Sequence, residues 1–193
     1  MLPLIPVSSE PEIIPAPLLG FPERHEIESL GHIGLFSPDD ERALRRAWRI
    51  LQGQTDDYLD LLLGMTAAYP ALAEILKGVR AKDRHKTEDG STALRRLFRQ
   101  WLLKTCQSSQ DWSWLAELYA HLLTDRQGLA EDLLPKFRYV VALAFPVAAA
   151  ARPFLVTSGL DPQDIERMQY ALLKAILLQV DLLSKLYVRE GFW

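Results

Sequence analysis

Four histidines, one cysteine and 25 carboxylates are the side chains from which this chain could build a reactive or ligand-holding site. His121 has the most organised surroundings. Trp114, Leu118, His121 and Asp125 follow at steps of four, three and four residues, which puts them on one stripe of a helix. A neutral imidazole on such a stripe can ligate a metal, or it can sit on a partly exposed helix face with Asp125 as its partner. His85, among Arg84, Lys86 and Glu88, reads as a solvated loop residue. His25 and His32 enter the globular region without metal-ligand spacing to Cys106. Cys106 reads as a small buried hydrophobe and has no second cysteine for an internal disulfide. Asp39-Asp40 and Asp56-Asp57 read as helix-start acids, which favour the positive end of a helix dipole, and not as an acid/base pair. The chain has no G-x-S-x-G, P-loop, G-x-G-x-x-G or H-E-x-x-H arrangement, so ordinary metabolic catalysis is not expected.

The elements that must position these residues are helices. Ser37-Pro38-Asp39-Asp40 is a helix start: serine accepts orphan N–H groups and proline fits the first turn. Leu44, Ala47, Trp48 and Leu51 then recur at i, i+3, i+4 and i+7. Gly53 ends or bends that helix, and Thr55-Asp56-Asp57 caps the next, through about Ala68. A short helix after Tyr69-Pro70 carries Leu72, Ile75 and Leu76, and Gly78–Ser91 reads as a polar loop. A helix from Thr92 to about Cys106 buries Leu94, Leu97, Phe98, Trp101 and Leu102. Its Arg95, Arg96 and Arg99 form a basic edge. Another helix starts near Asp111 and runs past His121. Leu129–Phe154 should be kinked at Pro146, and Pro162–Tyr187, capped at Asp161, keeps Ile165, Met168, Leu172, Ile176, Leu183 and Leu186 at helical spacing. No period-two strand pattern stands out. The expected class is all-α.

Length and charge bound the function further. The 193 residues suit one domain with a sizeable core. With 22 basic against 25 acidic residues there is no overall basic surface, so nucleic acid is not an expected partner. Residues 1–22 hold six of the twelve prolines and no Lys or Arg, which argues for an extended arm and against a signal peptide. The globular domain is expected over 23–193. No uninterrupted apolar run reaches the roughly 20 residues of a membrane span, so a cytoplasmic protein without a membrane role is expected.

From Ser37 onward the chain resembles the protoglobins, single-domain globins related to the sensor domains of haem-based gas receptors. The resemblance is carried by FRYVVALAFPVAAAARPFL (Phe137–Leu155) and DPQDIERMQYALLKAILLQV (Asp161–Val180). LDLLLGMTAAYPAL (Leu59–Leu72) and LFRQWLLKTC (Leu97–Cys106) add to it. It implies a single-domain globin-like helical sandwich that encloses one haem b. Oxygen, carbon monoxide or nitric oxide would then bind at the iron, for sensing or gas handling. It also implies a homodimer through the C-terminal helices, and the apolarity of Val140–Ala151 and Ala171–Val180 on its own favours one. Any signal would pass to a separate partner.

Residue by residue, Phe98 matches the phenylalanine that lines the family's pocket, while Leu62-Leu63 stand where the family has its distal Trp-Tyr pair. Such an apolar wall would not stabilise polarised oxygen by a hydrogen bond, relative to carbon monoxide. Aligned without gaps from Trp114-Leu115, the family's iron-ligating histidine falls at Asp125. His121 lies on the same stripe, about 6 Å nearer the helix start at a rise of 1.5 Å per residue. The segment between Trp114 and Phe137 is shorter than in the family, and losing four residues nearly preserves helix phase. His121 is therefore the candidate iron ligand, with Leu118 and Leu122 flanking it. The alternative is a haem-free globin-fold interaction or signalling module, its pocket filled by Leu62, Leu63, Met65 and neighbours or holding another apolar ligand.

Overall fold

The computed structural model describes residues 21–69, 90–127 and 137–185, with the backbone alone for 90, 91, 93 and 121–127. Eight helices are present among them: α1 (Arg24–Ile33), α2 (Pro38–Leu51), α3 (Thr55–Ala67), α4 (Gly90–Gln107), α5 (Trp112–Gln127), α6 (Phe137–Ala150), α7 (Arg152–Val156) and α8 (Pro162–Ser184). No strand occurs among the described residues, and the all-α class follows.

The helix starts form where the sequence provides caps. The Ser37 hydroxyl accepts from the Asp40 N–H, and the Ser37 N–H donates to Asp40 Oδ2 at 2.8 Å, a reciprocal box around Pro38. Asp161 accepts from the Gln163 N–H at 2.8 Å and starts α8 in the same manner. From these starts α2 buries Leu44, Ala47 and Leu51, and α8 buries Ile165, Met168, Leu172, Ile176 and Leu182.

Helix α8 is the axis of the fold. Helices α2, α4, α5, α6 and α7 all pack on it. Ala144 and Ala148 of α6 are buried with Ala171 and Ala175 of α8, and these short side chains let the two backbones approach. Phe36, Leu44, Leu51, Tyr58, Leu102 and Leu155 complete the main core. A second cluster joins Phe21, Ile27, Leu115, Ala116, Tyr119, Leu178 and Leu182.

The structure corrects the sequence reading in three places. A helix precedes Ser37: α1 is capped at Glu23, whose N–H donates to Glu26 Oε2 at 2.7 Å. It buries only Ile27 and Gly31, too few apolar positions to show a period. Packed structure also reaches back into the expected arm. Phe21 and Pro22 are buried; Phe21 meets Trp112 edge-on at 5.8 Å and Tyr119 at 5.1 Å, and Trp112 Nε1 donates to the Pro22 carbonyl at 3.0 Å. Lastly, α6 continues through Pro146 to Ala150, and the chain turns at Ala151, where Pro153 suits the first turn of α7. Residues 1–20, the helix expected after Pro70, most of the Gly78–Ser91 loop, residues 129–136 and Leu186 lie outside the described residues.

Two ion pairs tie α2 to α8, one from its first turn and one from its middle. Arg46 Nη1 lies 2.8 Å from Asp164 Oδ2, and Lys174 Nζ donates to Asp40 Oδ2 at 2.9 Å and to the Leu35 carbonyl at 2.7 Å. Burial alone would raise the Asp40 pKa. The hydrogen bonds from Lys174 and Ser37, with the Lys174 charge, outweigh it and hold the carboxyl below its ordinary value. A lowered folded pKa stabilises the protein above the unfolded carboxylate pKa, and that stabilisation is lost as pH falls through the folded value. Lys174→Met should therefore cost about 1 kcal/mol in urea unfolding at neutral pH, with the gap to wild type narrowing in acid.

Candidate functional site

The residues matched to a pocket wall do converge. Leu62 of α3 is buried, Leu63 is half-buried, and Phe98 of α4 packs half-buried against the same core. Between them stands Tyr58, fully buried, its ring edge-on to Phe98 at 5.3 Å and tilted to Phe154 at 5.7 Å. The Tyr58 hydroxyl donates to the Val147 carbonyl of α6. Burial, with the nearby Cys106 as a lesser cause, pushes its pKa far up, so the phenol stays neutral and keeps its proton on that bond.

Phe98 stacks obliquely on Trp101 at 5.5 Å. Trp101 Nε1 donates to Gln179 Oε1 at 2.8 Å, and Gln179 Nε2 donates to Thr105 Oγ1 at 3.0 Å. Gln179 and Thr105 are both buried. The relay satisfies an amide that would otherwise cost heavily in an apolar core, and it fixes Trp101 to α8. Tyr58 and Trp101 are thus two aromatic donors beside Phe98 whose protons already go to protein acceptors. The sequence reading missed Tyr58, Thr105 and Gln179. A signal for the last existed: Gln179 stands three and seven residues after Ile176 and Leu172, a polar residue on the buried stripe of α8.

One side of α4 is left partly open. Leu94 and Trp101 are half-buried, and Leu97 is 52% exposed although it belongs to the same apolar side. Helix α5 has a comparable side. It buries Leu115, Ala116 and Tyr119, exposes Ser113 and Glu117, and leaves Trp114 and Leu118 half-buried. Position 121 follows one turn after Glu117 and Leu118 in the α5 backbone. The side chains of His121, Leu122 and Asp125 lie outside the described residues. Trp114 Nε1 is buried, and among the described residues it has no hydrogen-bond partner.

Other candidates sort clearly. The basic edge of α4 is engaged with α3: Arg95 Nη2 donates to Asp60 Oδ1 at 2.6 Å, and Arg99 Nε donates to Thr55 Oγ1 at 3.1 Å. His25 lies 3.3 Å from exposed Glu23, His32 is exposed near the end of α1, and His85 lies outside the described residues. Cys106 is buried, and burial pushes its thiol pKa up to about 12, so it is an inert core residue. Among the described residues no three His, Cys, Asp or Glu side chains are gathered as a metal site. Of the residues expected to fill a closed pocket, Leu62 is in the core, Leu63 is half-buried, and Met65 is 42% exposed.

Replacing Gln179 by Leu removes the acceptor of Trp101 and the donor to Thr105 together. The expected loss is roughly 1–3 kcal/mol of unfolding free energy, read by urea titration, because buried Thr105 and half-buried Trp101 both lose their partner. An unchanged midpoint would show that the relay does not hold α4 to α8.

The Protoglobin family model matches residues 24–193, a span that takes in all eight described helices. No curated protein matches at a significant level. The chain, an all-α protein of globin fold, belongs to the Protoglobin family.

Proposed function

We propose that this protein binds haem in a pocket walled by Phe98, Leu62 and Leu63, with His121 as the iron ligand and Leu118 and Leu122 beside it, and takes up a diatomic gas there. The observation that carries this reading is the pair of apolar helix sides left partly open, Leu94, Leu97 and Trp101 on α4 and Trp114 and Leu118 on α5. Exposing such surface is unfavourable unless something apolar covers it. Family membership supplies the class of that group. When bound, haem supplies an iron centre that takes up oxygen, carbon monoxide or nitric oxide.

The chain's own contribution is to orient and seal. Phe98, held between Tyr58 and Trp101, forms a fixed apolar wall. Because both neighbouring aromatic donors are engaged elsewhere, this wall offers a polarised gas no hydrogen bond. Discrimination should accordingly favour carbon monoxide over oxygen. Binding for sensing or gas handling, with no chemical turnover, is the proposed activity.

Wild-type protein supplied with haem should show a stoichiometric Soret band. His121→Ala should lose it or hold haem loosely, while Asp125→His should add little. A wild-type protein that takes up no haem would overturn the reading in favour of the haem-free interaction module, which the aspartate at the family's histidine position favours.

We also propose a homodimer through α6 and α8. Val141 is 45%, Phe145 68% and Tyr170 63% exposed, and Phe145 and Tyr170 border a surface cavity of about 220 Å³ with Ala148 and Leu173. The stretch Phe137–Val156 is long and apolar enough to cross a membrane, and a second copy is the partner that would cover it in water. Phe145→Glu should convert a dimer into a monomer in sedimentation at micromolar concentration. A wild-type monomer there would contradict the pairing.

A further inference from the structure

A second apolar feature lies away from the candidate haem wall. Leu30, Ile33 and Phe36, from α1 and its exit, face Leu177 and Leu178 of α8 across a groove of about 330 Å³. Its rim is unusually apolar. Ile33 is 78% and Leu35 is 76% exposed. Leu35 has φ +54°, the left-handed region that an L side chain enters at a cost. The turn is held in that shape from both sides: the Phe36 N–H donates to the Gly31 carbonyl at 2.9 Å, and Lys174 Nζ donates to the Leu35 carbonyl. A constrained backbone thus keeps a leucine out in water beside an apolar groove. Gly31 and Gly34 also line the groove, and the side-chain position of Gly31 is taken by Gln110, whose Oε1 would lie 2.9 Å from a Cβ there.

We propose that this groove is the docking site of the chain's own N-terminal segment, residues Ile13 to Leu19. Three observations select it. The first is the attachment point: the segment joins the domain at Phe21, which shares a cluster with Leu178, and Leu178 also lines the groove. The reach is short. From Leu182, beside Phe21, to Lys174 the α8 axis advances about 12 Å at 1.5 Å per residue, and seven residues at ~3.1 Å each cover more than that.

The second is composition. Ile13-Ile14-Pro15-Ala16-Pro17-Leu18-Leu19 offers four large aliphatic side chains, and its two prolines have no N–H to leave unsatisfied against an apolar wall. The third is charge. The groove is lined by one charge of each sign, Asp181 and Lys174, the latter paired with Asp40, and Ile13–Gly20 is the uncharged stretch next to the domain that suits the apolar wall between them. Docked there, the segment would run along α1 and α8 of the same chain, beside Leu35 and Ile33.

The test uses the full chain with a nitroxide on Ala16→Cys. Buried Cys106 does not compete for the label. Amide signals of Gly34, Leu35 and Leu177 should lose most of their intensity relative to the reduced nitroxide, and Gln163, at the other end of α8, should lose none. Ile33→Asp, at a position exposed enough to leave the fold intact, should restore those intensities. A mixture of labelled and isotope-enriched copies should show no such loss. Uniform weak broadening, or broadening that survives Ile33→Asp, would overturn the proposal. Broadening in the mixed sample would also overturn it, by showing that a second copy supplies the segment. The result is independent of haem uptake, because no groove residue belongs to the haem wall.

Discussion

The structure depends on burying α8 along most of its length. Twenty-three residues form one helix whose buried positions run from Ile165 to Leu182, and five other helices pack on it. Each end has its own fixing. Asp161 caps the start, Arg46 and Lys174 tie it to α2, and Phe21 and Tyr119 close the far end. A helix apolar enough to serve so many partners needs few polar groups inside, and the main one it has, Gln179, is satisfied on both its oxygen and its nitrogen. The relay couples packing to register, since only one rotation of α4 brings Trp101 and Thr105 to the same amide.

The shape of the candidate site follows from that attachment. Helices α4 and α5 both rest on α8, each by one side, and each keeps a second apolar side partly open. Ion pairs and a hydroxyl contact hold α4 to α3, so its arginines stabilise the scaffold from outside. The wall around Phe98 is rigid because aromatic rings bracket it. It is also dry in hydrogen-bonding terms, because Tyr58 and Trp101 donate into the protein. A ligand bound against this wall would be selected by shape and apolar contact, with polarity playing little part.

Much of this was legible in the sequence. The Ser37 and Asp161 caps, the Leu44–Leu51 stripe and the α8 stripe rest on local chemistry, and the structure repeats them. Phe98 and Leu62 were placed by family resemblance and do share a core. What escaped was tertiary. Helix α1 buries one isoleucine and one glycine, so no period announces it, and its Ile27 is buried in a cluster with Phe21 against which Trp112 packs. Tyr58, Thr105 and Gln179 lie on three different helices, and their partners are set by how those helices cross. A kink is expected at Pro146; the helix instead runs through that proline to Ala150, and the chain turns at Ala151, where Pro153 fits a new first turn.

The central claim, a haem held by His121 against the Phe98 wall, is tested most directly by resonance Raman spectroscopy of the reduced, gas-free protein. The account predicts an iron–histidine stretching band in the wild type. That band should disappear in His121→Ala and return as an iron–imidazole band when imidazole is added. Persistence of the original band in His121→Ala would contradict the assignment of the ligand, and a wild-type protein without bound haem would contradict the claim as a whole.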